Sequence, residues 1–198
     1  MKIIRNILIL AFLFNLNNQI FSQSETSKNE DTVQLRSFIK ENNVLKVKNE
    51  TFIGKIKGKK SVEIRFYTVD YYPFNDNLKH VKGIKVTIEE DKKDNKFHLS
   101  AYIDYDQFTN IDSFLVNMST ETRNWKEAKN SLSEISFITK DNFELKILQN
   151  DRKQSGLAII KQDRKKISCS FGSGKKNLQR IIDIFNEADE VFNPSIIE

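Results

Sequence analysis

Apolar and polar positions alternate along most of the chain after residue 44, with the period of two that is typical of β-strands. The alternation is clearest in residues 61–67, where Val62, Ile64 and Phe66 fall on one face and charged residues fall between them. Similar patterns predict further strands over residues 44–47, 51–56, 83–90, 96–105, 134–139, 143–149, 156–161 and 166–171.

Short polar segments separate these strands. Lys57-Gly58-Lys59 predicts a glycine-centred turn, and residues 70–77 predict a loop because Pro73 disfavours a ladder position and Asn/Asp clusters favour turns. Parallel strands need long crossover connections, so strands joined by such short turns must be antiparallel.

Two segments have the period of a helix. Residues 110–119 follow a capping-box spacing from Thr109 to Asp112 and predict a short amphipathic helix. Residues 175–192 predict a C-terminal helix with one apolar face, which Pro194 ends. Residues 33–39 are apolar enough to pack, but their pattern does not distinguish a helix from a strand.

This order of elements predicts an α+β domain over residues 33–198. Its centre is expected to be a strongly bent antiparallel sheet or partial barrel of about seven or eight strands. One short central helix follows the first strands, and the C-terminal helix packs on the sheet.

The N-terminus has the features of a cleavable secretion signal over residues 1–23. Lys2 and Arg5 precede the apolar run Ile7–Phe14, and cleavage is expected between Ser22 and Ser24. A run of eight apolar residues is too short to cross a bilayer, which needs about 20. A buried N-terminal helix is the alternative. Residues 24–32 are then a flexible leader, and the product is exported to the periplasm or the cell exterior.

The cysteine content bears on lipid anchoring and on disulfide formation. No cysteine stands at the N-terminus that cleavage would create, so lipid anchoring is not expected. Cys169 is the only cysteine, so no intramolecular disulfide can form. Cys169 alternates with Ile167 and Phe171, which predicts a buried strand position.

The net charge does not indicate a nucleic-acid partner. It is +5 for the whole chain, and loss of the two cations Lys2 and Arg5 would leave +3. Basic residues are scattered among acidic ones, whereas a nucleic-acid interface needs a concentrated basic stripe. The basic clusters are residues 55–60, 92–93, 164–166 and 175–176.

Several short motifs resemble those of a group of small bacterial exported proteins that have no assigned activity. They are Phe52-Ile53-Gly54-Lys55-Ile56, Lys82-Gly83-Ile84, Ala101-Tyr102-Ile103-Asp104-Tyr105-Asp106, the helix through Phe114-Leu115, the hairpin 137–143 and the C-terminal helix. Gln107 and Asn142 stand where Glu and Gly are usual in that group. The resemblance implies a fold and an export route, and it implies no activity.

Residues 172–176 lie between a strand and a helix, as a phosphate loop would. Cys169 occupies the position of the required first glycine and Lys176 that of the required Ser or Thr, so the nucleotide-hydrolase motif is excluded. Free helix N–H groups and two lysines still attract negative charge. Ser173, Gly174, Lys175 and Lys176 are therefore a candidate anion-binding site, with a plain Ser173-capped helix start as the alternative.

No metal, cofactor or catalytic site is predicted. Asp104 and Asp106 lack the further oxygen ligands of a calcium loop, and Asp104 is expected to face solvent. His80 and His98 lack the partners of a zinc site, and no nucleophile elbow marks a hydrolase. An unrecognised hydrolase stays an alternative because its residues would meet only in space.

The best candidate for an interaction surface is the aromatic loop with Tyr71, Tyr72 and Phe74. Exposed aromatic side chains on a proline-stiffened loop are typical of recognition surfaces, although they can also fold back onto the core. We therefore expect a non-enzymatic module that binds a protein, peptide or envelope component. The alternative is a carrier of a lipophilic ligand in a cavity between sheet and helix.

Overall fold

The chain folds into two four-stranded antiparallel sheets, each followed by a long helix. The computed structural model describes residues 33–92, 95–125, 132–150, 153–172 and 174–194. The first sheet contains β1 (Lys46–Lys57), β2 (Val62–Pro73), β3 (Val81–Lys92) and β4 (Asn95–Asp104). The second contains β5 (Leu132–Ile138), β6 (Phe143–Asn150), β7 (Lys153–Gln162) and β8 (Lys165–Gly172). The described helices are α1 (Gln34–Lys40), α2 (Phe108–Asn124) and α3 (Gly174–Phe192).

The expectation of an antiparallel α+β fold is confirmed, whereas the expected single bent sheet or partial barrel agrees only roughly, because the eight strands divide into two separate sheets. Strand order is β1-β2-β3-β4 in one sheet and β5-β6-β7-β8 in the other, and no barrel closes. The cause is the central helix, which follows β4 and directs the chain into a second meander. The predicted signal (1–23) and leader (24–32) lie outside the described residues.

The helices differ from expectation at the N-terminal side. The ambiguous segment 33–39 is a helix, α1, and the central helix spans 17 residues instead of ten. Thr109 lies inside α2, which begins at Phe108 after the 3-10 turn Tyr105–Gln107, so the capping-box prediction was wrong. The C-terminal helix lies where the sequence placed it, with Leu178, Ile181 and Phe185 buried.

The first hairpin turn also differs from expectation, because its left-handed residues are Lys60 and Ser61, with φ of 56° and 58°. Gly58 has an ordinary φ and serves close packing instead. A Cβ on Gly58 would lie 2.3 Å from the sulfur of Cys169. The glycine therefore allows the β1–β2 turn to rest against β8.

The two sheet–helix pairs, residues 46–124 and 132–192, repeat one topology. The first turn of each repeat has the same hydrogen bond: Gly58 N–H donates to Val62 (2.8 Å) and Thr139 N–H donates to Phe143 (2.9 Å). The helices bury equivalent positions at a constant offset of 70 residues: Phe108 and Leu178, Ile111 and Ile181, Leu115 and Phe185, Met118 and Ala188.

An insertion distinguishes the repeats. Equivalent residues of the two repeats are 81 positions apart before the β2–β3 connection, as for Gly58 and Thr139. After that connection they are 70 positions apart, as for Phe108 and Leu178, which is a difference of 11. The first repeat therefore has 11 extra residues in its β2–β3 hairpin. We call the region Asp70–Lys82, which includes them, the hairpin extension.

Each repeat packs reciprocally on the other. The β1–β2 turn lies on the open edge of β8, where Lys59 N–H donates to the carbonyl of Ser170 (2.8 Å). The β5–β6 turn lies on the open edge of β4, where Tyr102 N–H donates to Asp141 Oδ2 (2.7 Å). Both contacts satisfy backbone groups that an edge strand would leave unpaired. The sheets share one core with α2 and α3.

We predict that Gly156→Ala will destabilise the protein by about 1–3 kcal/mol, as overpacking does. A Cβ at Gly156 would lie 1.8 Å from Phe171 Cε2, inside the core. The matched control is Gly172→Ala in the neighbouring strand, where no atom lies within 4 Å of the new Cβ. Urea unfolding measures both changes, and equal stabilities of the two variants would contradict the packing described.

Candidate functional site

The hairpin extension is supported from one side by α1. A small apolar cluster joins the two, and the rings of Phe38 and Tyr71 lie 6.4 Å apart. The buried members of this cluster are Val33, Leu35, Phe38, Val69 and Tyr71. The cluster is separate from the main core, so the extension depends on α1 for its apolar packing.

Two carboxylates hold α1 in place. Asp141 binds the guanidinium of Arg36 through two bonds of 2.5 and 2.6 Å, while Arg36 also donates to the carbonyl of Ser100 (3.1 Å). The same Asp141 accepts the amide of Tyr102, and the Arg36 guanidinium lies 5.4 Å above the centre of the Tyr102 ring. A bidentate pair of this kind fixes geometry as well as charge.

Asp104 is the second carboxylate, and the expectation that it faces solvent was wrong. It is buried and accepts the backbone N–H groups of Gln34 (2.6 Å) and Leu35 (2.9 Å) at the start of α1. Burial raises the pKa of Asp104, and the two N–H bonds oppose that rise only in part. Its role is therefore structural: it satisfies free N–H groups of a seven-residue helix.

The three aromatic residues predicted as a binding surface separate in the structure. Tyr71 is buried against Phe38, which corrects the expectation that it is exposed, and burial raises the pKa of its phenol. Tyr72 is half-buried and its ring lies 4.7 Å from the ring of His80. Phe74 is 68% exposed. Tyr71 and Tyr72 differ in burial because successive residues of β2 point to opposite faces of the strand.

His80 braces the hairpin extension. Its Nδ1 lies 2.7 and 2.9 Å from the two carboxylate oxygens of Asp70, and its Nε2 lies 2.8 Å from the carbonyl of Asn77. Each ring nitrogen therefore faces an oxygen atom of another residue in the same segment. The histidine thereby ties the loop to its strand.

The end of the extension carries exposed apolar side chains. Leu45, Phe74 and Leu78 are 70%, 68% and 91% exposed. Phe74 N–H donates to the carbonyl of Leu45 (2.8 Å), which places the start of β1 beside the loop. We call Leu45, Phe74 and Leu78 the hairpin tip. The sequence pattern indicated only Phe74 of these three.

The candidate anion site is only partly described, since Ser173 lies outside the described residues. Gly174 is buried, whereas Lys175 and Lys176 are exposed and line a cleft of about 590 Å³ with residues of β1. A second groove, of about 610 Å³, lies on the outer face of the first sheet. Charged side chains line both the cleft and this groove. Neither space is therefore an apolar cavity for a lipophilic ligand.

Hydrolase and metal chemistry would each require particular side chains that meet in space. Within the described ranges, neither histidine forms a hydrogen bond with a serine or cysteine, and no cluster of His, Cys, Asp and Glu side chains could hold a metal ion. As predicted, Cys169 is fully buried in a strand, and it forms no disulfide. In the part of the chain that is described, no helix has the length and apolarity to span a membrane.

Comparison with known proteins returns no match, neither to a family model nor to a curated sequence nor to a solved structure. The resemblance to small exported proteins therefore stays a prediction.

We predict that the thiol of Cys169 will not react with Ellman's reagent in the folded protein. Burial and the negative charge of Glu63 raise its pKa to about 11, so little thiolate forms at neutral pH. Labelling should become complete once urea unfolds the chain. Ser168→Cys supplies the control, because residue 168 is an exposed neighbour whose thiol should react at once. Native Cys169 reacting as fast as that thiol would refute the burial.

Proposed function

We propose that this chain is an exported, non-catalytic binding domain that engages a protein partner through the hairpin tip. The observation that carries the proposal is the exposure of three large apolar side chains, Leu45, Phe74 and Leu78, at one end of the first sheet. Large apolar side chains grouped on a surface are typical of interaction sites.

The repeat supports this location. Both repeats consist of the same four-stranded meander and helix, yet only the first has the 11 additional residues of the extension. The fold therefore does not need the extension, because the second repeat does without it. A segment that the architecture does not need, and that α1 and His80 nevertheless hold in one conformation, is well suited to recognition.

The charges around the tip favour a protein over an anionic membrane surface. Asp70 and Asp76 balance Lys79 and Lys82 in this segment, whereas binding to anionic lipid requires an excess of cations. An exposed apolar tip in a segment whose charges balance matches an apolar pocket on a folded partner. Support by α1 lowers the ordering cost of binding.

Site-specific photo-crosslinking in the native host tests the proposal. With p-benzoylphenylalanine in place of Phe74, we expect one discrete adduct that contains a different protein. Phe114 is the matched control, because it is an exposed phenylalanine (53%) on α2, away from the tip. Substitution there should give no adduct.

A second change makes the assignment specific. Leu78→Ser in the Phe74 crosslinking variant should reduce the adduct by about tenfold, since truncating an apolar anchor removes most of its contribution. An equal yield at residues 74 and 114, an adduct with a second copy of the chain, or no adduct at residue 74 would overturn the proposal.

A further inference from the structure

We infer that the cleft between β1 and α3 binds a small oligoanion, meaning a molecule with two or more phosphate or sulfate groups. This site is distinct from the hairpin tip and does not depend on the function proposed above. The cleft has a volume of about 590 Å³, and Ile56 contributes an apolar part of its lining.

Five cationic side chains from two elements line this cleft. Lys55 and Lys57 come from β1, and Lys175, Lys176 and Arg180 come from the first half of α3. Only Lys55 has an ion-pair partner within the described residues, Glu63 at 3.0 Å. Lys57, both lysines of α3 and Arg180 have none there. The single acidic residue of the lining is Asp183, which accepts a hydrogen bond from Gln179 (3.1 Å).

Close packing of α3 on β1 brings the two sets of cations together. A Cβ at Gly54 would lie 2.7 Å from the side chain of Ile184, so glycine is what allows α3 to approach the strand. At the same position Arg180 Nη2 lies 3.5 Å from where that Cβ would be. The guanidinium thus lies over β1 beside Gly54, while the Arg180 side chain as a whole is exposed.

The second repeat is an internal comparison, because α2 packs on β5 as α3 packs on β1. Phe114 of α2 stacks on Phe137 of β5, and it is equivalent to Ile184 at the same offset of 70 (114 to 184). The cations have no counterpart there. Tyr105, Asp106, Asn110, Ser136 and Ile138 occupy the positions of Lys175, Lys176, Arg180, Lys55 and Lys57.

The helix–strand contact therefore forms without positive charge in one repeat and with five cations in the other. Mutual repulsion among these cations costs stability, and the comparison shows that the packing does not require them. An anion with several charges is the ligand that such a cluster complements. The cleft lining contains no aromatic side chain, whereas single-stranded nucleic acids are bound by stacking on aromatic rings.

Isothermal titration calorimetry of the full mature chain tests this inference with inositol hexakisphosphate, pyrophosphate and a heparin-derived hexasaccharide as probes. We expect binding of at least one probe, weakened by added NaCl because the contacts are exposed charges. The double variant Lys57→Gln/Arg180→Gln should lose about tenfold in affinity, since each exposed pair contributes a few-fold. Lys165→Gln/Lys166→Gln removes the same charge at the exposed β7–β8 turn and should lose less than about twofold.

A variant with higher affinity distinguishes a direct effect on the cleft from a loss of folding, because misfolding would only weaken binding. Asp183→Asn removes the one acidic side chain of the lining and should raise affinity about two- to fivefold. Asp163→Asn at the distant β7–β8 turn makes the same change in net charge and should not.

Sedimentation with vesicles of phosphatidylcholine and phosphatidylglycerol (3:1) distinguishes a free anion from a lipid surface. We expect the protein to stay in the supernatant. Binding to vesicles but to none of the free probes would overturn the proposal. So would equal losses in the cleft and turn variants, or the absence of any binding.

Discussion

The ion pair between Arg36 and Asp141 is the contact on which the position of α1 and of the hairpin extension depends. Asp141 belongs to a turn of the second sheet, Arg36 belongs to α1, and both bind backbone groups on the open edge of β4. One carboxylate thereby joins three parts of the chain that are far apart in sequence. The pair is largely shielded from water, with side chains 19% and 9% exposed. Loss of either partner should cost about 2–4 kcal/mol, because it leaves a charge without its partner.

The consequences extend from this pair to the hairpin tip. Arg36 fixes α1, α1 packs against Tyr71 through Phe38, and Tyr71 lies in the strand that leads to the tip. Because the cluster around α1 is separate from the main core, we expect the extension to open more readily than the centres of the two sheets. A tip supported in this way would lose little conformational entropy on binding the partner that we propose.

Comparison of the two repeats shows which features the shared fold does not require. Each sheet–helix unit forms hydrogen bonds with the open edge strand of the other. Lys59 N–H donates to the carbonyl of Ser170 on β8, and Asp141 accepts a hydrogen bond from Tyr102 N–H on β4. Features present in only one copy cannot be requirements of that shared architecture. The hairpin extension and the cations of the β1–α3 cleft are both of this kind, and they are the two surfaces for which we propose ligands.

Periodicity predicted most strands and the C-terminal helix, because buried faces such as that of Val62, Ile64 and Phe66 require regular spacing. It did not predict the division into two sheets, since strands of both sheets alternate in the same way and pairing partners are not encoded locally. The roles of Asp104 and Asp141 were missed for a related reason. Their partners Gln34, Leu35 and Arg36 lie 69 to 105 residues away in sequence.

Part of the candidate surface could be found from the sequence. Phe74, which the sequence placed in an aromatic loop, is exposed, and Lys175 and Lys176 lie at the helix start where the sequence placed them. Tyr71 was misjudged because a strand continues to Pro73, and strand parity turns its ring towards α1. Lys57 and Arg180 of the cleft were not indicated, because only tertiary packing brings them together with the two lysines.

Native-state hydrogen exchange of Arg36→Met is the most direct test of this account. The variant keeps the apolar stem and removes the guanidinium that binds Asp141 and Ser100. We predict faster exchange of amides in α1 and residues 69–82, with unchanged protection in the centre of β7. Unchanged exchange in residues 69–82, or uniform acceleration throughout both sheets, would contradict it.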